Sequence, residues 1–388
     1  MVFSLHVSAS GLALNKMRKI LFGIIALIVS TNQTFADHSP KKMMRNMKAF
    51  SQLSVTGKLG PFDVNYFKYG EIPDSKPTSV ENKKFDKILA DKMNLAAIVM
   101  RDGNIVYERY ATKRKIDSNT PLMGMSMSKT AISASVGTLL CDGKINSLDD
   151  AAKQYSKFLA TTPYSDISIR NILQMNSGVS PLGRSDEKKF NRRARGVQKF
   201  SGKADVKSAL KFYDSASREA GSQMNYHSSD SLTLSILVED IAKKSLANYF
   251  QETLYNQFGE SGFMQWTADK SGTTVSFSDL TMTARDWANF GQFLLTQKKE
   301  DTCLGKFFNE GVNKSVNTGK KNGSKYGYQS WVFNVHSQPT MVLQGHGGQF
   351  MVLEEKTDTV LLTISLNEDY KAGNLFSDIG KITERLTK

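Results

Sequence analysis

The chain has 388 residues, 40% hydrophobic and 23% charged, which gives ample length for a buried core and the composition of a soluble globular protein. The net charge of +14 admits an anionic partner, but no basic motif interleaved with aromatics, no zinc finger and no helix-turn-helix signature accompanies it, so nucleic acid is not expected. Two cysteines exclude a disulfide framework, and five histidines without ligand spacing give no reason to expect a metal or other cofactor.

Near the start, Lys16, Arg18 and Lys19 precede an apolar run from Ile20 to Val29, and small residues follow around Ala36. This is the layout of a secretory signal peptide spanning residues 1–36, with cleavage expected after Ala36. The run falls short of the roughly 18 apolar residues that a spanning helix needs. An uncleaved anchor is therefore the weaker alternative. Translation starts at Met1 or at Met17, since the segment before Met17 resembles no targeting element. Export to the periplasm or beyond would put Cys141 and Cys303 in an oxidising compartment, where they either form one bridge or stay as two buried thiols.

Residues 37–90 read as a polar, Lys-rich extension, with a short helix over Glu81–Met93. Leu95–Ala111 is a hairpin with an Asp-Gly turn at Asp102–Gly103. After a connector, TAISASVGTLLCDG has the length and small apolar residues of a buried helix. The stretch from INSLDDAAKQY to Gly178 reads as mostly helical, and Arg184–Lys203 as a basic surface loop. That loop is either simply solvated or drawn to an anionic cell-envelope surface, the latter in a salt-dependent way. DVKSALKFY and SSDSLTLSILVEDIAKKSLANYFQETLY carry helical patterns. From about Trp266 onward strands dominate, interrupted by the helix TARDWANFGQFLLTQ. GYQSWVFNV, TMVLQGHGGQFMVLEE and DTVLLTISLNE read as three consecutive antiparallel strands, followed by an amphipathic helix, DIGKITERLTK.

The first strands must pair with the last, with the helical block inserted between them. The expected architecture is α/β (α+β): an antiparallel sheet flanked by helices, with an all-helical subdomain. Residues 91–388 form this domain, 91–140 and 260–388 supplying the α/β part and 141–259 the helical part.

Chemistry concentrates in PLMGMSMSKTAISASVGTLL. If a helix begins there, Ser126 and Lys129 share a face while Ser128 points elsewhere. A serine hydroxyl becomes a useful nucleophile when a neighbouring base takes its proton. A lysine serves as that base when burial and positive potential favour its neutral amine. The helix start also offers backbone N–H groups for an oxyanion. A capped structural helix explains the same residues, and Ser-x-x-Lys recurs at Ser39/Lys42, Ser185/Lys188 and Ser208/Lys211 without other signs of chemistry. Two distant stretches add weight: Tyr226-His227-Ser228 just before an amphipathic helix, and His346-Gly347-Gly348 in a strand whose glycines weaken packing unless something approaches closely.

In this order the three motifs resemble those of the β-lactamase-related serine hydrolases, a group spanning class C β-lactamases, penicillin-binding-type DD-peptidases, family VIII esterases and nylon-oligomer hydrolases. DISIRNILQMNSGVSP, TARDWANFGQFLL and KYGYQSWV also look like family segments, and the resemblance covers about residues 91–388. It implies Ser126 as the acylated nucleophile, Lys129 as its base and Tyr226 as the relay to the leaving group. It further implies an oxyanion hole from the backbone N–H groups of Ser126 and Gln349, with Ser228, His346, Gly347 and Gly348 lining the substrate site.

The departures are informative. His346-Gly347-Gly348 stands where Lys-Thr-Gly is usual, and neutral histidine is a poor carboxylate anchor at pH 7. Asn317-Thr318-Gly319 looks like a Lys-Thr-Gly relic but lacks the lysine. Ser228 replaces the asparagine usual in class C. The pattern is nearest the nylon-oligomer hydrolase and esterase branches, so a small ester or linear amide, as a small molecule or short peptide, is the expected substrate. A DD-peptidase or weak β-lactamase is the alternative, and a non-catalytic penicillin-binding-like scaffold the bland one. His227 either tunes the site or faces solvent.

Overall fold

A computed structural model describes residues 62–68, 89, 94–111, 116–179, 190, 206–213, 215–269, 272–335 and 337–365. The signal-peptide segment, nearly all of the Glu81–Met93 and Arg184–Lys203 stretches and the closing DIGKITERLTK lie outside these residues. The strands are β1 (Phe62–Lys68), β2 (Asn94–Arg101), β3 (Asn104–Tyr110), β4 (Leu122–Met123), β5 (Phe263–Asp269), β6 (Thr281–Met282), β7 (Val316–Asn317), β8 (Lys325–Gly327), β9 (Ser330–Val335), β10 (Gln338–Gly345), β11 (Gln349–Glu354) and β12 (Thr359–Ser365). The main helices are α1 (Ser128–Cys141), α2 (Ile169–Leu173), α3 (Ser228–Ala242), α4 (Leu246–Phe250), α5 (Ala284–Lys299) and α6 (Cys303–Asn313).

Eight strands form one antiparallel sheet in the order β3-β2-β12-β11-β10-β9-β8-β7. The N-terminal hairpin thus pairs with the last described strand, Ile98 facing Leu362 in register. The split sheet expected from the sequence is present. Alternation explains its burial. Met351, Leu353, Val360 and Leu362 turn towards the larger core with α1, α3, α5 and α6. Phe350, Val352 and Leu361 turn to a second cluster with Trp331 and Phe333. Both faces are covered, so these strands are apolar at nearly every position.

Several elements differ from the sequence reading. The polar extension contributes β1, which pairs along its whole length with β5 in a second sheet ordered β1-β5-β6-β4. The stretch after Ser147 is mainly 3₁₀ turns, Ala152–Gln154 and Leu159–Thr161, before the short α2 capped by Ser168. Lys207–Phe212 is also 3₁₀ rather than α. The long helical pattern after Tyr226 breaks at Lys243, whose φ of 58° ends α3 in the left-handed region. Helix α6 was unread. Thr302 caps it by accepting from the Gly305 N–H, as Thr283 caps α5 by accepting from Asp286.

Cys303 opens α6 and Cys141 ends α1, and the two form a disulfide across a separation of 162 residues. The bridge ties the helix following the Ser126 turn to α6. Closing so long a loop stabilises the fold by about 2–5 kcal/mol through restriction of the unfolded chain.

Candidate active site

Ser126 does not sit inside α1. It occupies a 3₁₀ turn, Met125–Met127, that leads directly into the helix, and Met125 takes a left-handed φ of 51° to make the bend. The turn is clamped from the segment before α5. The Gly124 N–H donates to Leu280 O at 3.0 Å, and the Leu280 N–H donates to Ser128 Oγ at 3.1 Å. Ser128 in turn donates to Met125 O at 2.7 Å. The second serine of the knot is therefore a structural pin. Leu122 and Met123 pair with Met282 and Thr281, which fixes the same junction.

Lys129, one position into α1 and 2% exposed, reaches back to the turn. Its Nζ lies 3.3 Å from Ser126 Oγ and donates to Phe277 O at 2.6 Å. A neutral amine can do both: one N–H serves the carbonyl while the lone pair faces the serine hydroxyl. The Tyr226 ring centroid is 5.2 Å from the same Nζ. Among the described residues Tyr226 is the large hydrophobic side chain left exposed, at 36%, and it stacks on Trp331 at 5.4 Å and meets Tyr326 edge-on at 5.8 Å. Tyr226, about 100 residues on in the chain, thus joins Ser126 and Lys129, and Ser228 follows as the first residue of α3, buried.

The third motif differs locally from the strand expected. TMVLQGHGGQFMVLEE is two strands, β10 and β11, with Gly345 paired to Gln349 and His346-Gly347-Gly348 as the turn between them. Gly347 and Gly348, at φ 86° and 89°, make a reversal that residues with a Cβ rarely adopt. The turn is braced from within and from β12. Gln349, fully buried, donates through Nε2 to His346 O and accepts the Ser365 N–H at Oε1 at 2.7 Å. Thr363 Oγ1 donates to Gly348 O at 3.1 Å. The hairpin abuts the Ser126 turn so closely that a Cβ on Gly345 would lie 2.4 Å from Gly124 O and 3.0 Å from Met125 Cβ. The strand end carrying the third motif and the turn carrying Ser126 share one packed contact.

His227 does not face solvent. It is buried, with Nε2 3.4 Å from Asp230 Oδ1 and Nδ1 hydrogen-bonded to Ser229 Oγ. Burial first, then the charges of Arg218 and Lys129, push its pKa down to about 3, so it is neutral under ordinary conditions. Asp230 also accepts from Tyr164 at 2.9 Å and Ser177 at 2.6 Å, which ties α3 to the segments on either side of α2. Gln329 adds a further tie between α3 and α2. Its side chain accepts from Ser231 at 2.7 Å and donates to Ile172 O and Leu173 O at 3.1 Å. Sequence reasoning missed Gln329 and the Phe277 carbonyl. KYGYQSWV marked the neighbourhood of the first, whereas a backbone acceptor leaves no residue signature.

Glu239 lies at the far end of α3, 8% exposed, and accepts the N–H groups of Thr274 at 2.9 Å and Leu246 at 3.2 Å. Burial raises its pKa from 4.5 to about 7. The folded state thus binds this proton more tightly than the unfolded chain between about pH 4.5 and 7. Stability from this group is greatest below that window and is lost as pH rises through it, by about 3 kcal/mol in all. Glu239→Gln keeps the acceptor without the charge. Thermal melts from pH 4.5 to 8 should show the wild type losing stability relative to the variant, and parallel curves would contradict this.

With the geometry described, the family follows from comparison. A sequence model of the family described as Beta-lactamase matches residues 85–382, most of the chain. The chain belongs to the Beta-lactamase family. A candidate 6-aminohexanoate-dimer hydrolase from Bacillus anthracis shares the fold at a TM-score of 0.69 and 20% identity, over 84% of this chain and 92% of that one. A penicillin-binding protein from Bacillus halodurans aligns at 0.56 and 13% identity, covering 75% of this chain and 97% of that one. A family VIII carboxylesterase aligns at 0.53 and 13% identity, covering 71% and 87% respectively. Identities this low speak to fold. Comparison with curated proteins finds no match. As a member of the Beta-lactamase family, the chain is a serine hydrolase, and it has the mixed helix and antiparallel sheet fold of that group.

Proposed function

We propose that the protein hydrolyses a small ester or linear amide through an acyl-enzyme formed on Ser126. The observation that supports this most is Lys129 Nζ held 3.3 Å from Ser126 Oγ by the Phe277 carbonyl, with the Tyr226 ring 5.2 Å from the same nitrogen. In this reading Lys129 takes the hydroxyl proton as Oγ bonds to the substrate carbonyl carbon. The oxyanion is met by the backbone N–H groups of Ser126 and Gln349, each donor of this kind being worth on the order of 10²–10³ in rate. Tyr226 passes a proton to the departing alcohol or amine as its bond to carbon breaks. Water then attacks the acyl-enzyme, giving its proton back through the same groups, and Ser126 is regenerated. Ser228 and the His346–Gly348 turn line the substrate.

His346 in place of a lysine makes efficient β-lactam or D-peptide turnover the weaker reading. Rates measured in parallel on p-nitrophenyl esters, aminohexanoate oligomers, a chromogenic cephalosporin and D-amino-acid peptides should be highest on the first two substrates. A cephalosporin rate above the ester rate would reverse the assignment. The Cys141–Cys303 bridge supports export, with the signal peptide of residues 1–36 delivering the chain to an oxidising compartment. Cell fractionation would test that.

A further inference from the structure

Strands β8 and β9 are joined by Tyr328 and Gln329 alone, with Gly327 paired to Ser330 across the connection. Both joining residues take left-handed backbone values, φ 48° and 61°. A two-residue hairpin turn of this hand ordinarily recruits Asn-Gly, because glycine reaches positive φ at no steric cost. A buried Tyr-Gln pair in that place is strained backbone, which persists only where the surroundings fix it. Gln329 is where they do. Its N–H donates to Leu173 O at 2.8 Å, and its carbonyl accepts at 3.2 Å from Oγ1 of Thr130, the residue after Lys129 in α1. Its side chain, 2% exposed, accepts from Ser231 in the first turn of α3 and donates to Ile172 O and Leu173 O at the end of α2.

The flanks of the same hairpin hold the ring of Tyr226. Tyr326 and Trp331 face each other directly across β8 and β9, their ring centroids 5.2 Å apart. Tyr226 stacks on the indole and meets the phenol edge-on, so both members of one cross-strand pair contact its ring. Both are buried and serve as its support. One hairpin therefore contacts the Tyr226 ring, the helix that begins at Ser228 and the helix that carries Lys129. A shift of the hairpin would move the Tyr226 ring against Lys129 Nζ, 5.2 Å from its centroid. Glycine at 329 would suit the turn and leave it untied. Glutamine breaks the local turn rule and gains the side-chain bonds to α2 and α3, and such breaches gather where function sets the geometry.

We propose that Gln329 is a positioning residue for proton delivery to the leaving group: by locking the β8–β9 hairpin to α1, α2 and α3, it holds Tyr226 where the departing alcohol or amine collects its proton. This rests on the reading of Tyr226 as the relay. As the bond from the acyl carbon to the leaving oxygen or nitrogen breaks, that atom takes the proton that Lys129 removed from Ser126, handed on by Tyr226. Gln329 acts through Tyr226 and not on the reacting atoms. Its contribution is therefore confined to substrates whose leaving group needs the proton. An alkoxide is too basic to depart unassisted, whereas p-nitrophenolate leaves as the anion. Lys129 and the Ser126 turn have supports of their own in Phe277 O and the Leu280 N–H.

The test compares kcat/KM, which covers acylation alone, for p-nitrophenyl butyrate and ethyl butyrate on the full chain. Gln329→Gly gives the turn its preferred residue and removes only the side-chain ties. It should lower the ethyl ester at least about tenfold and the p-nitrophenyl ester less than about twofold. Ser231→Ala, a smaller change that decides the matter if the first variant does not fold, should cost the ethyl ester about threefold and spare the other. Tyr226→Phe should show the selective loss in full, and adding Gln329→Gly to it should then cost the ethyl ester less than about twofold more. Equal losses on both esters, no loss, or a loss undiminished in the Tyr226→Phe background would overturn the proposal and leave the relay reading standing. A wild type inert to both esters, or a Tyr226→Phe variant that loses both equally, would instead remove the relay reading, and the positioning role with it.

Discussion

Lys129→Met is expected to lower kcat/KM on an activated ester by at least about 10³-fold while leaving the protein folded, with a melting temperature close to that of the wild type. The size of the loss follows from removing the base that takes the Ser126 proton. The small effect on stability follows from burial. Lys129 is 2% exposed, so methionine fills nearly the same volume and leaves no buried amine to satisfy. Against this, Phe277 O loses the donor that holds it at 2.6 Å, a cost of about 1 kcal/mol. Kinetics beside thermal melts separate the two readings. A large drop in melting temperature with a proportionate loss of activity would mean that Lys129 is mainly a structural tie.

Gly345→Ala is expected to reduce kcat by about 10²-fold or more with little change in the secondary structure seen by circular dichroism. The added Cβ would fall 2.4 Å from the Gly124 carbonyl oxygen, a backbone atom that cannot swing aside, and 2.8 Å from Gln349 Cβ. Relief requires the end of β10 and the Ser126 turn to part. The Ser126 turn and Gln349, the β11 residue paired with Gly345, carry the backbone N–H groups assigned to the oxyanion, and displacement by an ångström at a reacting centre costs on this scale. The Ser126 turn has little room to yield, because a Cβ at Gly124 would itself lie 2.1 Å from the Trp287 ring. Steady-state kinetics of the variant check this, and unchanged kcat would show that the hairpin and the turn are mechanically independent.

The parts of the fold written in local pattern were readable. Asp102-Gly103 takes left-handed values, φ 49° and 74°, as an Asp-Gly hairpin turn should, and the flanking strands follow. α5 was legible from a capped amphipathic pattern. α6 was not, because CLGKFFNEGVN carries two glycines between strand-like segments. Its helix is secured by Thr302, by packing and by the bridge at Cys303. The β10–β11 reversal was hidden because QGHGGQF has apolar strand pattern on both sides and no Asn-Gly or Asp-Gly signal.

At the site, Ser126, Lys129 and Tyr226 could be named because each is a reactive side chain in a recognisable motif. What holds them could not. The Phe277 carbonyl contacts Lys129 across 148 residues, the Leu280 amide reaches Ser128 across 152, and both exist only once the chain has closed.

The central claim is that Ser126 is the residue acylated by substrate. Treatment of the folded protein with a fluorophosphonate, followed by peptide mass spectrometry, tests it most directly. The account predicts one adduct, on the peptide holding Ser126, absent from Ser126→Ala and strongly slowed in Lys129→Met. An adduct on another serine, or none on protein shown to be folded, would contradict it.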